Sequence, residues 1–167
     1  DLLATLWSAR TGECLHTLEG HSDVVSCVAF SPSGAELVTA SHDCTAKVWQ
    51  AASGECRNTL EGHRRVIMSA TFSQDGAMLA TGSDDHEARL WGAGSGECLR
   101  IFAGHDGWVW SAVFSPDGAL LLTASWDGTA KLWSAETGDC ITTLDGHRFE
   151  VFSAAFSPPL RLPDAFA

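Results

Sequence analysis

The chain has 167 residues, of which 45% are hydrophobic and 19% charged, a composition typical of a globular protein and not of a disordered one. Its formal net charge is −11 with only 10 Lys and Arg residues, which argues against nucleic acid or an anionic membrane surface as the main partner, because both are bound through basic side chains. No apolar run approaches the roughly 18 residues that a membrane helix needs.

One unit of the sequence predicts four short strands in a fixed order. Residues 24–30 (VVSCVAF) are apolar on both faces, as in a strand packed between two sheets, and a Ser-Pro-Ser-Gly turn follows. The second strand is predicted at residues 36–40 and leads through a tight turn at His42 and Asp43 into the third at residues 45–49. A Ser-Gly-Glu turn precedes the fourth strand at residues 56–60, and Glu-Gly-His then restarts the order.

This unit recurs every 42 residues. Gly-His occurs at 20–21, 62–63, 104–105 and 146–147, and Trp occurs at 7, 49, 91 and 133. The cysteines at 14, 56, 98 and 140 follow the same interval, so they are copies of one position, expected to lie far apart as reduced thiols. Four strands in a unit of about 40–45 residues are typical of a β-propeller blade, so we expect an all-β fold.

Three units carry a family resemblance: GHSDVVSCVAFSPSGAELVTASHDCTAKVW, GHRRVIMSATFSQDGAMLATGSDDHEARLW and GHDGWVWSAVFSPDGALLLTASWDGTAKLW. They resemble WD repeats, and the resemblance covers residues 1–158. The Asp that usually follows the signature Trp is absent, at a position that varies in the family; its places are taken by Ser8, Gln50, Gly92 and Ser134.

The resemblance implies a WD-repeat β-propeller built as an arc of about four blades, with three complete blades, the outer two strands of one more and the inner strand of another. Residues 159–167 diverge from the repeat and are expected to form a C-terminal tail. Pro163 stands where a second strand would need a backbone N–H to donate to its neighbour in the sheet, and proline has none. A chain that opens with Asp1 is expected to be a fragment of a longer protein with a ring of seven or eight blades. The alternatives are a ring of two chains, a stable arc and a four-bladed monomer.

The resemblance also implies a structural tetrad in each complete blade, in which His, Thr, Asp and Trp side chains are joined by hydrogen bonds. A Thr-His-Asp set could instead suggest a nucleophilic triad, but an active site is not normally copied once per blade, so no catalytic residue, cofactor or metal site is expected. The three sets are His21, Thr39, Asp43 and Trp49; His63, Thr81, Asp85 and Trp91; and His105, Thr123, Asp127 and Trp133.

In the family, protein partners bind the loop-rich top face at positions three and five residues after the Gly-His histidine and one residue before the turn Asp. Three tryptophans outside the signature fall at these positions within one blade: Trp108, Trp110 and Trp126. Met68 and Phe152 would extend an apolar patch, and Asp84 and Glu150 would pair a basic group of the partner. Val66 and His42 hold equivalent positions, together with Val24 and Ser26. The alternative for Trp110 and Phe152 is that they only fill gaps between blades.

We therefore expect a protein-interaction scaffold without enzymatic activity that presents its top face to a peptide or protein in a multiprotein complex. The clean TGEC-x-x-TLEGH units are similar to those of WD proteins in cilia, centrioles and dynein assembly, so the expected location is the cytoplasm, with the cytoskeleton or cilium as a specific site. Exposed blade edges would also allow self-association. The alternative function is a regulatory or sensor module of a ubiquitin-ligase substrate receptor or of a nucleotide-binding switch protein.

Overall fold

The computed structural model describes residues 1–157, which form fourteen antiparallel strands. The strands are β1 (Ala4–Trp7), β2 (Cys14–Leu18), β3 (Val25–Phe30), β4 (Glu36–Ser41), β5 (Ala46–Gln50), β6 (Cys56–Leu60), β7 (Ile67–Phe72), β8 (Met78–Ser83), β9 (Glu87–Gly92), β10 (Cys98–Ala103), β11 (Val109–Phe114), β12 (Leu120–Ser125), β13 (Ala130–Ser134) and β14 (Cys140–Leu144). Within the described residues no helix is long and apolar enough to cross a membrane.

The strands pair into four consecutive sheets. The half-blade consists of β1 and β2, and three complete sheets follow: blade 1 (β3 to β6), blade 2 (β7 to β10) and blade 3 (β11 to β14). Each complete sheet keeps its strands in chain order, so it is a simple meander. The expected all-β fold is confirmed: four-stranded antiparallel blades stand in series and, within residues 1–157, do not close a ring.

The hydrophobic core lies between consecutive sheets, because the last strand of one blade packs against the signature Trp of the next. Leu18 of the half-blade contacts the cluster around Trp49, and Leu60 of blade 1 belongs to the cluster that contains Trp91. In blade 2 the equivalent residue is Phe102, whose ring centroid lies 5.7 Å from that of Trp133. Blades 1 and 2 therefore bury apolar residues against the sheets on both sides of them.

Two end surfaces of the arc are uncovered. Leu144 holds the same position in blade 3 as Leu18 and Leu60 do in their sheets, yet it is 51% exposed while they are 1% and 0% exposed. At the other end Trp7 is 60% exposed, because the half-blade lacks the two inner strands that bury the other signature tryptophans.

Hydrogen bonds also link adjacent blades. The Ser26 hydroxyl of blade 1 donates to the carbonyl of Ile67 in blade 2, and the Cys27 thiol of blade 1 donates to the carbonyl of Ala70 in blade 2.

The inner strand expected after His147 is not formed as a strand within the described residues. Residues 151–157 contain no strand, although Val151 donates its N–H to the carbonyl of Ser125 at 2.9 Å and so begins alongside blade 3. A strand forms through its ladder with a neighbour, and the residues that would follow it in the repeat lie beyond position 157. The tail predicted at residues 159–167 lies outside the described residues.

Candidate functional site

The structure brings the four side chains of each tetrad together with nearly identical geometry in the three complete blades. In blade 2, His63 Nδ1 lies 2.8 Å from Asp85 Oδ2, and His63 Nε2 lies 2.7 Å from Thr81 Oγ1. Trp91 Nε1 donates to the same Thr81 hydroxyl at 2.9 Å. The matching distances are 2.8, 2.7 and 2.8 Å in blade 1 and 2.7, 2.7 and 2.8 Å in blade 3.

The proton positions within a tetrad follow from the hydrogen-bonding capacity of each group. The Asp85 carboxylate only accepts, so His63 Nδ1 carries the proton and, in the neutral ring, Nε2 accepts from the Thr81 hydroxyl. That hydroxyl accepts in turn from the indole N–H of Trp91. Because the threonine is fully buried and already bonded to both aromatic partners, it cannot reach a substrate, and the tetrad acts as a structural staple.

The carboxylate of each tetrad is held in its charged form. Burial alone would raise the pKa of Asp127, but hydrogen bonds from Thr129, His105 and the backbone N–H of Asp106 lower it to about 2. The pKa of the equivalent aspartates in blades 1 and 2 is also lowered to about 2. Burial lowers the pKa of His105, which keeps its ring neutral at physiological pH despite the neighbouring carboxylate.

The predicted binding positions are joined by one backbone hydrogen bond per blade. The residue before the turn Asp donates its N–H to the carbonyl of the residue three positions after the Gly-His histidine. The pairs are His42 with Val24 at 2.8 Å, Asp84 with Val66 at 3.0 Å, and Trp126 with Trp108 at 2.9 Å. The two residues of each pair are therefore direct neighbours, although they are 18 positions apart in the sequence.

Four rings meet on the top face around blade 3, and we call Trp108, Trp110, Trp126 and Phe152 the aromatic cluster. The ring centroids of Trp108 and Trp126 are 5.1 Å apart, and those of Trp110 and Phe152 are 5.4 Å apart. Phe152 is 58%, Trp126 44% and Trp108 37% exposed, whereas Trp110 is half-buried beneath them. Contiguous aromatic surface of this kind is typical of an interaction site.

The other predicted residues are arranged around this cluster or away from it. Glu150 is half-buried, two positions before Phe152. Val66, Met68 and Asp84 are half-buried in blade 2, where Arg65 Nη1 lies 3.7 Å from Asp84 Oδ2. His42 is exposed in blade 1 with blade 2 between it and the cluster, so it does not belong to the same surface.

Two exposed residues near the predicted binding positions were missed by the sequence-based prediction. Phe149 is 77% exposed, and its carbonyl oxygen lies against Gly128 in the turn that carries Trp126. Arg65 faces Asp84, and its side chain is 65% exposed. Both stand two residues after a Gly-His histidine, and a bulky residue at that place in the loop was the available signal.

The described residues hold no group of three or more His, Cys, Asp or Glu side chains arranged to bind a metal ion. The cysteines that recur at the period are all exposed free thiols, each on the first residue of an outer strand.

Comparison with known proteins agrees with this architecture. The family model described as IFT122 first beta-propeller matches residues 2–158. Striatin-4 of Homo sapiens is 45% identical over 38 residues, which are 23% of this chain and 5% of that protein. The periodic tryptophan protein 2 homolog of Neurospora crassa is 48% identical over 42 residues, which are 25% of this chain and 5% of that protein. The latter two matches are about one repeat long and show a shared unit, whereas the family match spans nearly the whole chain. The chain thus belongs to the IFT122 first beta-propeller family and is a WD-repeat β-propeller, as its motifs predicted.

Proposed function

We propose that this chain is a protein-interaction module that captures a protein partner through the aromatic cluster on its top face. Such propellers are generally protein-interaction scaffolds, and the family match supports that role. The observation that carries the proposal is the exposure of Trp126 and Phe152 beside Trp108, all on loops or strand ends of one blade junction. Solvent-exposed tryptophan residues often contribute most of the binding energy when a partner protein buries them.

The charge of the chain favours a protein partner over a nucleic acid. The net charge is −11, and Asp84 and Glu150 hold positions that the repeat predicts to be on the same face as the cluster. A phosphate backbone would be repelled by this surface, whereas a protein segment with apolar and basic side chains would complement it. A partner of that composition would cover the rings and pair the carboxylates at their margin.

The family suggests the assembly in which the module works. Because the matching model describes a propeller of IFT122, we infer that this chain acts in an intraflagellar transport assembly, in the cytoplasm and the cilium. The matched parts of the other relatives are 5% of their length, so those proteins support only the repeat and not a particular complex.

The proposal is tested by changing Trp108 and Trp126 to Ala in the full-length protein and measuring co-precipitation of intraflagellar transport proteins from ciliated cells. Loss of a central aromatic anchor typically costs 2 kcal/mol or more, so we expect recovery of the partner to fall at least about tenfold. Leu99→Ala is the matched control, because Leu99 is 40% exposed on the outer strand of blade 2, away from the top face. Unchanged recovery with both tryptophans replaced, in a folded protein, would refute the proposal.

A further inference from the structure

A groove at the junction of blades 2 and 3 lies on the face opposite the aromatic cluster, because β12 runs from Leu120 in the groove to the turn that carries Trp126. Its volume is about 490 Å³, within the range of about 300–1,000 Å³ that is typical of ligand pockets. The turn between β11 and β12 and the turn between β13 and β14 form its walls. We call it the lower groove, and the apolar side chains that line it are those of Met78, Ala119, Leu120, Ala135 and Ile141.

The apolar surface of the lower groove is not required by the blade itself. Ile141 is 55% exposed, and Leu120 is half-buried. In blade 1 the same two positions hold Arg57 and Glu36, whose side chains form a salt bridge at 3.0 Å. A blade therefore folds with a charged pair at this place, and the isoleucine of blade 3 leaves apolar area in water for a partner to bury.

Two carboxylates border the lower groove. Asp75 and Asp117 line an adjoining depression of about 260 Å³, which shares Met78 with the groove. Each closes its own turn, since Asp75 Oδ1 accepts from Ser73 Oγ at 2.6 Å and Asp117 Oδ1 accepts from Ser115 Oγ at 2.5 Å. These hydrogen bonds, with others from backbone N–H groups, lower the pKa of both carboxyl groups, so both are charged at neutral pH. Within residues 1–157 no basic side chain forms a salt bridge with either of them.

An apolar groove beside two fixed negative charges selects a segment in which an aliphatic side chain stands next to a basic one. The aliphatic side chain covers Ile141, and the basic group pairs with Asp75 and Asp117. Arg100 does not neutralise this border, because its guanidinium donates to the backbone carbonyl of Glu136 at 2.9 Å. A second copy of this chain is disfavoured as the occupant, since its net charge of −11 would bring like charges to the aspartates.

We propose that the lower groove is a second docking surface, which binds a segment of a partner protein that carries leucine or a similar aliphatic residue next to lysine or arginine. It lies at the opposite end of blade 3 from the aromatic cluster and binds independently of it. The inference goes beyond the proposed function, because a module with a docking surface on each face joins two protein segments.

The probe is the blocked peptide acetyl-Lys-Leu-Leu-Lys-amide, titrated into the full chain while the methionine methyl signals are followed by NMR. The chain has two methionines, so Met78 reports on the lower groove and Met68, at a predicted top-face position, is the internal reference. We expect the Met78 signal to shift and the Met68 signal to stay in place. The peptide acetyl-Lys-Ser-Ser-Lys-amide lacks the aliphatic side chains, and acetyl-Glu-Leu-Leu-Glu-amide reverses the charge. Each should bind at least about tenfold more weakly.

Ile141→Ser should weaken binding of the first peptide at least about fivefold, because it removes apolar surface from the groove. Leu15→Ser is the matched control, since Leu15 holds the same position in the half-blade and is 51% exposed, and it should change binding less than about twofold. Asp117→Asn keeps an acceptor for the turn and removes the charge, so it should weaken binding about threefold. Asp145→Asn, an exposed position at the other end of blade 3, should change it less than about twofold.

A Met78 signal that does not move, equal binding of the serine or glutamate peptide, or equal effects of Ile141→Ser and Leu15→Ser would overturn the inference. Sedimentation of the full chain tests the other occupant: self-association that is lost in Ile141→Ser and kept in Leu15→Ser would assign the groove to a second copy and would also overturn it. Replacing Trp108 and Trp126 should leave the Met78 shift unchanged, so failure of the lower groove and failure of the proposed function are distinguishable.

Discussion

Thr81→Val removes one hydroxyl from a fully buried side chain and keeps its shape. That hydroxyl connects His63 Nε2 at 2.7 Å with Trp91 Nε1 at 2.9 Å, so its loss leaves a buried acceptor and a buried donor without partners. Because valine matches threonine in volume, no cavity arises, and the change isolates the hydrogen-bonding role of the tetrad.

The expected cost follows from the two groups that are left unpaired. Each buried polar group without a partner costs about 1–3 kcal/mol, so two such groups should lower the free energy of unfolding of the variant by about 2–6 kcal/mol. Thr81→Ser provides the control, since it keeps the hydroxyl and loses one buried methyl group, which costs about 1 kcal/mol. In a Trp91→Phe background the donor is already gone, so Thr81→Val should cost less there than in the parent chain.

The assay is denaturant unfolding followed by tryptophan fluorescence, together with hydrogen exchange of the amides in blade 2. Exchange is needed because arrays of repeated units do not always unfold in one step, and it reports the opening of a single sheet. Faster exchange should be strongest in β8 and β9, which carry the threonine and the tryptophan. If the valine variant is as stable as the serine variant, the staple interpretation is wrong.

Three further predictions concern the turns, the ends and the pH dependence. His86 has a φ of 71°, and Gly128 holds the equivalent position in blade 3 with a φ of 80°. Because glycine adopts positive φ without a steric penalty, His86→Gly should stabilise the chain by about 0.5 kcal/mol and Gly128→Ala should destabilise it in thermal melts. A change of the same sign in both variants would contradict this prediction. In denaturant unfolding, Leu60→Ala should lower the free energy of unfolding by about 2–5 kcal/mol, because Leu60 is fully buried. Leu144 holds the same blade position but is 51% exposed, so Leu144→Ala should lower it by less than about 1 kcal/mol. Equal losses would disprove the packing argument. The folded-state pKa of Asp85 is about 2 against an ordinary 3.8, so its contribution to stability is complete above about pH 4 and is lost as the pH falls toward 2. Unfolding free energies measured between pH 5 and 2 should therefore fall less steeply in Asp85→Asn, and an unchanged slope would refute the assignment.

The fold was largely predictable from the sequence because two independent signals coincide. The 42-residue period sets the unit, and turn residues within it delimit the strands, so predicted and observed strand ends differ by no more than one residue in blade 1. The strand at residues 56–60 is the same in both. The inner strand after His147 was not predictable in this way, because a strand also depends on a neighbour to pair with, and its own pattern does not report that neighbour.

The candidate site was predictable only in its positions. The period identified the places of Trp108 and Trp126, but the stacking of their rings depends on a backbone hydrogen bond between strand and turn that no pattern states. The strained turn at His86 had a signal in the sequence, since the equivalent residue of blade 3 is glycine.

The hydrogen bonds that join Ser26 to Ile67 and Cys27 to Ala70 connect positions 41 and 43 residues apart. During synthesis, each sheet can therefore form from its own residues, but its apolar face toward the C-terminal side is covered only after roughly one more repeat has been synthesised. Folding then proceeds in equal steps, and at each step the newest sheet leaves an apolar surface for chaperones to protect. Translation rate and chaperone supply would thus act on this molecule once per repeat.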